Sequence, residues 1–218
     1  MKIAVCVPHH GPVKARFAEG LANLMAKTAQ TMVREHLSLG RPEIRAFFEE
    51  DGSIELKRLR LALAARRWDA DYILFADSDH IFPPDALLRL LAHQKPVIGC
   101  NYVSRNGAVP AAVDGENRKL ATTEAKAKAG LVEEVAALGL GFCLVHTHTF
   151  DLLGGQIPFV TTITAAGDVL CGEDVHFFNL VRAAGVGVFL DHGLSWEIGH
   201  IAETIRTNRE SAEAPLNG

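Results

Sequence analysis

The sequence lacks most of the features that settle a protein's class at a glance. None of its 218 residues falls in an apolar run approaching the ~18 residues of a membrane span. The opening stretch MKIAVCVPHH is too short an apolar segment for a secretory leader, so none is expected. Basic charge is scarce: 22 Lys and Arg stand against 26 Asp and Glu, for a net charge of −4. One basic cluster, Lys57-Arg58-Leu59-Arg60 with Arg66-Arg67, falls in a predicted helix. It reads as a solvated face or as an electropositive wall for a phosphate-bearing ligand, and nucleic acid is not the expected partner. The four cysteines (Cys6, Cys100, Cys143, Cys171) form no CxxC pair. They read as free thiols in a reducing compartment, with no zinc or redox motif. Neither an internal repeat nor a linker divides the chain. These absences leave one soluble, cytoplasmic domain (residues 1–218) as the expectation, and 48% hydrophobic residues suffice for a sizeable core.

What is present is a regular alternation. Residues 2–7 (KIAVCV) read as a buried strand ending at Pro8. Apolar positions Phe17, Leu21, Leu24, Met25 and Met32 keep a helical stripe through about residues 13–39, and Gly40 is placed to cap it. A strand over 43–48, a turn at Asp51-Gly52, a helix over 54–68 and a strand YILFA (72–76) follow. Pro83-Pro84-Asp85 opens a helix running to His93, and 96–102 is the next strand. Residues 105–130, rich in Ala, Lys, Gly and Asn, read as a long loop or mobile excursion, a lid in functional terms. Strands are expected again at 139–146, 158–163 and 186–191, with a helix over 173–184 and a frayed tail from about 203. Strand–helix alternation with short apolar strands predicts an α/β fold. The expected form is a three-layer α/β/α sandwich with a largely parallel central sheet.

The strand YILFA is flanked by two Asp-x-Asp pairs, Asp69/Asp71 and Asp77/Asp79. Such a pair alone is a weak signal, but position separates the two. Ligands of open α/β sheets bind outside the carboxyl ends of the parallel strands. Asp69 and Asp71 lie at the amino end, where a turn needs polar residues. Asp77 and Asp79 lie at the carboxyl end, where two close carboxylates suit a hard cation such as Mn2+ or Mg2+. A strand-end turn that caps the next helix is the competing reading. Further along, Glu173 and Asp174 begin a helix, which stabilises carboxylates there, and His200 stands alone after Gly199. The helix packs an apolar face of Val175, Phe178, Leu180 and Val181, so one acidic side chain should point into the crevice while the other caps outward.

In this order the pieces VPHHGP, GSIELKRLRLALAARRWDADYILFADSDHIFPPDALLRLL, VIGCNYVSR, LGLGFCLV, GEDVHFF and a late His resemble the glycosyltransferases of the GT-A fold, in particular family-2-like nucleotide-diphospho-sugar transferases. The resemblance covers most of the chain. It implies a nucleotide-binding half over about 1–104, an acceptor and metal-completing half over about 131–202, and a flexible tail over 203–218. It implies that Asp79 holds a divalent ion, Mn2+ or Mg2+, with His200 completing its shell and Asp77 touching the ribose or supporting the ion. Arg58 would face the nucleotide, although the Asn that follows this arginine in many relatives is Leu59 here. Pro8 and the backbone beyond it would line the base and ribose pocket. Asp174 would act as general base, with Glu173 the outward cap. The implied donor is a UDP-sugar or GDP-sugar and the acceptor a glycan or other hydroxyl. Inversion follows by analogy only. The acceptor site could sit in 105–130, in the tail, or on a partner subunit of a homo-oligomer. Competing readings are a sugar-nucleotide-binding protein without catalysis, a nucleotidyltransferase, and a hydrolase. A hydrolase could use Asp77/Asp79 in the haloacid-dehalogenase manner, or His9-His10 or His146-x-His148 as zinc ligands.

Overall fold

The computed structural model describes residues 1–35, 43–104, 109–116, 118–201 and 205–207. Its elements run β1 (Lys2–Pro8), α1 (Ala15–Glu35), β2 (Glu43–Glu49), α2 (Ile54–Arg67), β3 (Tyr72–Ala76), β4 (His80–Ile81), α3 (Ala86–Ala92) and β5 (Val97–Gly99). Next come α4 (Glu124–Lys128), β6 (Val132–Glu134), β7 (Phe142–His146), α5 (His148–Asp151), β8 (Thr162–Ile163) and β9 (Val169–Cys171). The chain continues through α6 (Glu173–Ala183), β10 (Phe189–Asp191), α7 (His192–Ser195), β11 (Gly199–Ile201) and β12 (Ile205–Thr207).

Seven strands form the main sheet in the order β2-β1-β3-β7-β5-β10-β6. β1 pairs in parallel with β2 and β3, and β5 with β10, while β7 and β6 run against their neighbours. The sheet is therefore parallel in the main, with two reversed strands. Strands buried on both faces need apolar residues at every position rather than alternation, which is why IAVCV (3–7) and YILFA are continuous apolar runs. One face carries Ala4, Cys6, Ile73, Phe75, Cys143 and Val145 and packs on Leu61 and Ala65 of α2 and on Phe177, Phe178 and Val181 of α6. The other carries Ile3, Val5, Leu74 and Leu144 and packs on Phe17, Leu21 and Leu24 of α1 and on Leu87 and Leu90 of α3. This is the three-layer α/β/α arrangement expected. Burying each Leu or Phe stabilises by roughly 1.5–3 kcal/mol, so the two helical layers are held firmly to the sheet.

Several expectations change. β7, taken from late in the chain, lies between β3 and β5, so residues 1–104 and 131–202 both contribute strands to one sheet. The strand predicted over 158–163 is only the first arm of a small β8–β9 hairpin, and that over 186–191 is confined to Phe189–Asp191. The excursion over 105–130 is, across its described residues, a packed connection. Ala112 and Thr122 are buried, Val113 bridges Ala137, and a short helix forms at Glu124–Lys128. Residues 105–108 and 117 lie outside the described set, as do Gly40 and most of the tail. Within that tail, Ile205–Thr207 pairs antiparallel with β11. That pairing belongs to a second sheet, β12-β11-β4, which stands over the carboxyl edge of β3.

Candidate functional site

β3 ends at Ala76, and the chain then turns tightly: the His80 amide donates to the Asp77 carbonyl at 3.2 Å, leaving Asp79 at the bend. Immediately after the bend, β4 pairs antiparallel with β11, with His80 directly opposite His200. The Ile201 amide donates to the Asp79 carbonyl at 2.6 Å and ties the two segments. Three buried side chains meet there. His200 Nε2 is 3.1 Å from Asp79 Oδ2, and His80 Nδ1 is 3.4 Å from Asp79 Oδ1. The imidazoles stack with centroids 4.5 Å apart and planes 21° apart. Burial pushes the Asp79 carboxyl up, but the adjoining His200 and His80 imidazoles outweigh it and hold the group well below the usual carboxylate range.

Tyr102 meets His80 edge-on at 4.4 Å. The glycines of LGLGF explain how it fits. A Cβ at Gly139 would lie 2.0 Å from the Tyr102 hydroxyl, and one at Gly141 would lie 2.6 Å from His80 Cε1. The Gly141 amide also donates to the Tyr102 hydroxyl at 3.0 Å.

Beside this cluster is a second one. α2 presents two consecutive buried cations. Lys57 Nζ donates to the His9 carbonyl at 2.7 Å, just past the end of β1 at the buried Pro8, and Arg58 lies between two carboxylates. Arg58 Nη2 is 3.1 Å from Asp77 Oδ1, and Nη1 pairs with Glu173 Oε1. Burial opposes the Arg58 charge, yet Asp77 and Glu173 more than restore it. Burial raises the Glu173 carboxyl above its usual value, against the pull of Arg58 and with a further push from Asp174. Asp174 is half-buried, and its Oδ1 accepts from the Val175 amide at 2.7 Å. Its charge acts on both Arg58 and Tyr102.

Asp79 and His200 are thus brought together, as are Asp77 and Arg58, with Asp174 alongside. Asp77 lies on Arg58 and outside the Asp79–His80–His200 group. Glu173 does not cap outward: its carboxylate turns inward to Arg58, because Phe177 and Phe178 rotate that side of α6 onto the sheet. His80, Tyr102 and Lys57 were missed. His80 stands one position from Asp79, where strand alternation would send it away, and only the β4–β11 ladder returns it. The other Asp pair belongs to the opposite edge. Asp71 Oδ2 accepts from the Lys2 amide at 2.7 Å, and Asp69 takes a left-handed turn with φ 57°. His146, also at that edge, packs on Tyr72, and its Nδ1 accepts from the His148 amide at 3.2 Å. An apolar cavity of about 250 Å³ between α2 and the segment after α5, lined by Leu63, Phe150 and Ile157 among others, brings no titratable cluster with it.

Among the described residues, Asp79, His80 and His200 form the one group of three ligating side chains, with donor atoms all within 4.8 Å of one another. The group fits a divalent ion on two grounds. His200 Nδ1 lies 2.9 Å from the Val103 carbonyl, which can only accept, so that nitrogen carries a proton and Nε2 is the one turned to Asp79. His80 is fully buried, and neither of its ring nitrogens makes a hydrogen bond among the described residues.

No protein-family model matches the chain, and no curated protein matches it in sequence. Solved structures do resemble it. A197 from STIV aligns over 100% of this chain and 99% of its own, at 13% identity and a TM-score of 0.54. The catalytic domain of Drosophila beta1,4galactosyltransferase 7, complexed with xylobiose, aligns over 98% of this chain and 71% of its own, at 17% identity and a TM-score of 0.46. S. aureus TarS 1-349, complexed with UDP-GlcNAc, aligns over 88% of this chain, at 15% identity and a TM-score of 0.45, and the alignment takes in 55% of the TarS chain. The match to A197 establishes a shared fold and nothing about chemistry; the other two scores are too low to carry weight.

Proposed function

We propose that the protein is a metal-dependent glycosyltransferase that moves a sugar from a UDP-sugar or GDP-sugar to an acceptor hydroxyl with inversion. The observation that carries this reading is the meeting of a buried Asp–His–His group and a buried arginine at the carboxyl edge of β3, where an α/β sheet receives its ligand. Asp79 and His200 would hold a divalent ion, Mn2+ or Mg2+. Bound there, the ion would supply Lewis-acid neutralisation of the diphosphate charge. Asp77, oriented by Arg58, would accept from the ribose hydroxyls, and Arg58 would keep the crevice positive beside the departing diphosphate. Pro8 and the chain beyond it, fixed by Lys57, would form a wall for the base. Asp174, at the start of α6, would take the acceptor's proton as the bond forms.

A second reading, sugar-nucleotide binding without transfer, is favoured by one observation: the Asp174 carboxylate is already engaged by the neighbouring Val175 amide in the first turn of α6, as a carboxylate with a purely structural role is. The free thiols of Cys6, Cys100, Cys143 and Cys171 support a reducing, cytoplasmic setting. No helix among the described residues is long and apolar enough to cross a membrane. The test is a thermal-shift series with UDP and GDP, with and without Mn2+, followed by turnover of mass-tagged sugar nucleotides. A nucleotide shift that requires the ion supports a donor site, and product formation separates transferase from binder. A protein unmoved by either nucleotide overturns both readings.

A further inference from the structure

We infer that His80 is a third protein ligand of the ion, and that this second imidazole makes the site select Mn2+ over Mg2+. The inference rests on the donor-site reading for its biological use, but its evidence is independent. His80 is completely buried, and neither ring nitrogen makes a hydrogen bond among the described residues. Buried imidazoles of structural proteins ordinarily have partners, because leaving them unsatisfied is costly. The ring is also housed on purpose, since a side chain at Gly141 would collide with it. The ladder places it opposite His200, the stack sets the two rings side by side, and both present a nitrogen to the same Asp79 carboxylate. Neighbouring ligands in an octahedral shell with bonds of about 2.1 Å stand about 3 Å apart, close to the 3.1 and 3.4 Å that separate the His200 and His80 nitrogens from the Asp79 carboxylate oxygens.

The donor set then decides the ion. Mg2+ demands oxygen ligands, keeps several waters and dehydrates reluctantly. Imidazole suits Mn2+ only moderately and Co2+ or Zn2+ better, so two imidazoles and one carboxylate favour first-row transition ions over Mg2+. An Asp–His pair alone would discriminate less.

The experiment uses the metal-stripped full chain and no sugar nucleotide, so failure of the transferase reading does not touch its outcome. Free Mn2+ is followed by its electron paramagnetic resonance signal during titration, with Mg2+ as competitor. One bound Mn2+ is expected, displaced by Mg2+ only at roughly a hundredfold excess or more. His80→Gln should weaken Mn2+ by at least the ~10–100-fold typical of losing an outer-shell partner, and should narrow the Mn2+/Mg2+ preference. Should that variant misfold, pulsed resonance on the wild-type Mn2+ complex decides: nitrogen couplings from two imidazoles are expected, and coupling from one alone overturns the inference. Absence of Mn2+ binding, or competition by Mg2+ at equal concentration, overturns it as well.

Discussion

Two buried polar centres stand at the same edge of the sheet, one beyond β3 and one beyond β10. In the second, each principal group finds a protein partner. Asp191 accepts from the Leu194 amide at 2.9 Å and lies 3.1 Å from His93 Nε2. Ser195 takes the Asn101 amide at 2.8 Å and donates to the Asp191 carbonyl. Asn101 holds the Leu120 carbonyl at 2.6 Å and the Ala112 amide at 3.0 Å. His192 bridges Thr122 at 3.0 Å and Glu133 at 2.9 Å. In the first centre, by contrast, both nitrogens of His80 and Nε of Arg58 are buried without a hydrogen-bond partner among the described residues. Position at the carboxyl edge does not separate the two. Satisfaction does: a closed network fixes the connection to the core, while an open one leaves buried polar atoms without that role.

The comparison can be broken most sharply at Asp79. Asp79→Asn should abolish Mn2+-dependent nucleotide binding in a thermal-shift assay, while Asp71→Asn, at the other edge, should leave it intact. Equal losses would mean that the wrong pair has been chosen. Next in size, Asp174→Asn should lower transfer by roughly 10²–10⁴ with nucleotide affinity kept within a few-fold. Near-normal turnover would leave Asp174 a structural carboxylate of the first turn of α6. On the closed side, Asn101→Ala strands the Ala112 amide and the Leu120 carbonyl. It should cost about 1–3 kcal/mol in urea melts and leave Mn2+ affinity unchanged; a loss of metal would show the two centres to be coupled.

The smallest effect is a pH slope. Burial lowers the His192 imidazole below its ordinary value, against the opposing hydrogen bond to Glu133. The unfolded chain then binds the proton first, so stability is full above the unfolded value of about 6.5 and declines as pH falls from there to the folded value. His192→Gln should flatten stability-against-pH curves in that window, and an unchanged slope would assign it to other histidines.

The strands up to β5, the two long helices and the placing of the two Asp pairs at opposite ends of β3 were legible because each rests on local pattern plus one rule about sheet edges. Asp79 and His200 could be paired only through the family resemblance, since nothing local links them. His80 was hidden for a physical reason: its direction is set by a two-residue ladder with a segment over a hundred positions away. Glu173 was misjudged because adjacent helix-start carboxylates look alike until Phe177 and Phe178 fix the rotation of α6. The closed network around Asn101 could not be seen at all, so the connection it anchors read as a mobile excursion.

The position of β7 has a consequence for how the chain is made. Tyr72 faces His146 and Gly99 faces Cys143, so β7 joins two strands synthesised long before it. A chain emerging from the ribosome as far as β5 presents β3 and β5 with bare edges and nothing to bridge them. Until residue 146 is out, those edges are open to other chains. Assembly must wait for a late, distant strand, which slows folding and lengthens exposure to aggregation. Expression is therefore expected to be sensitive to anything that delays or truncates the second half of the message.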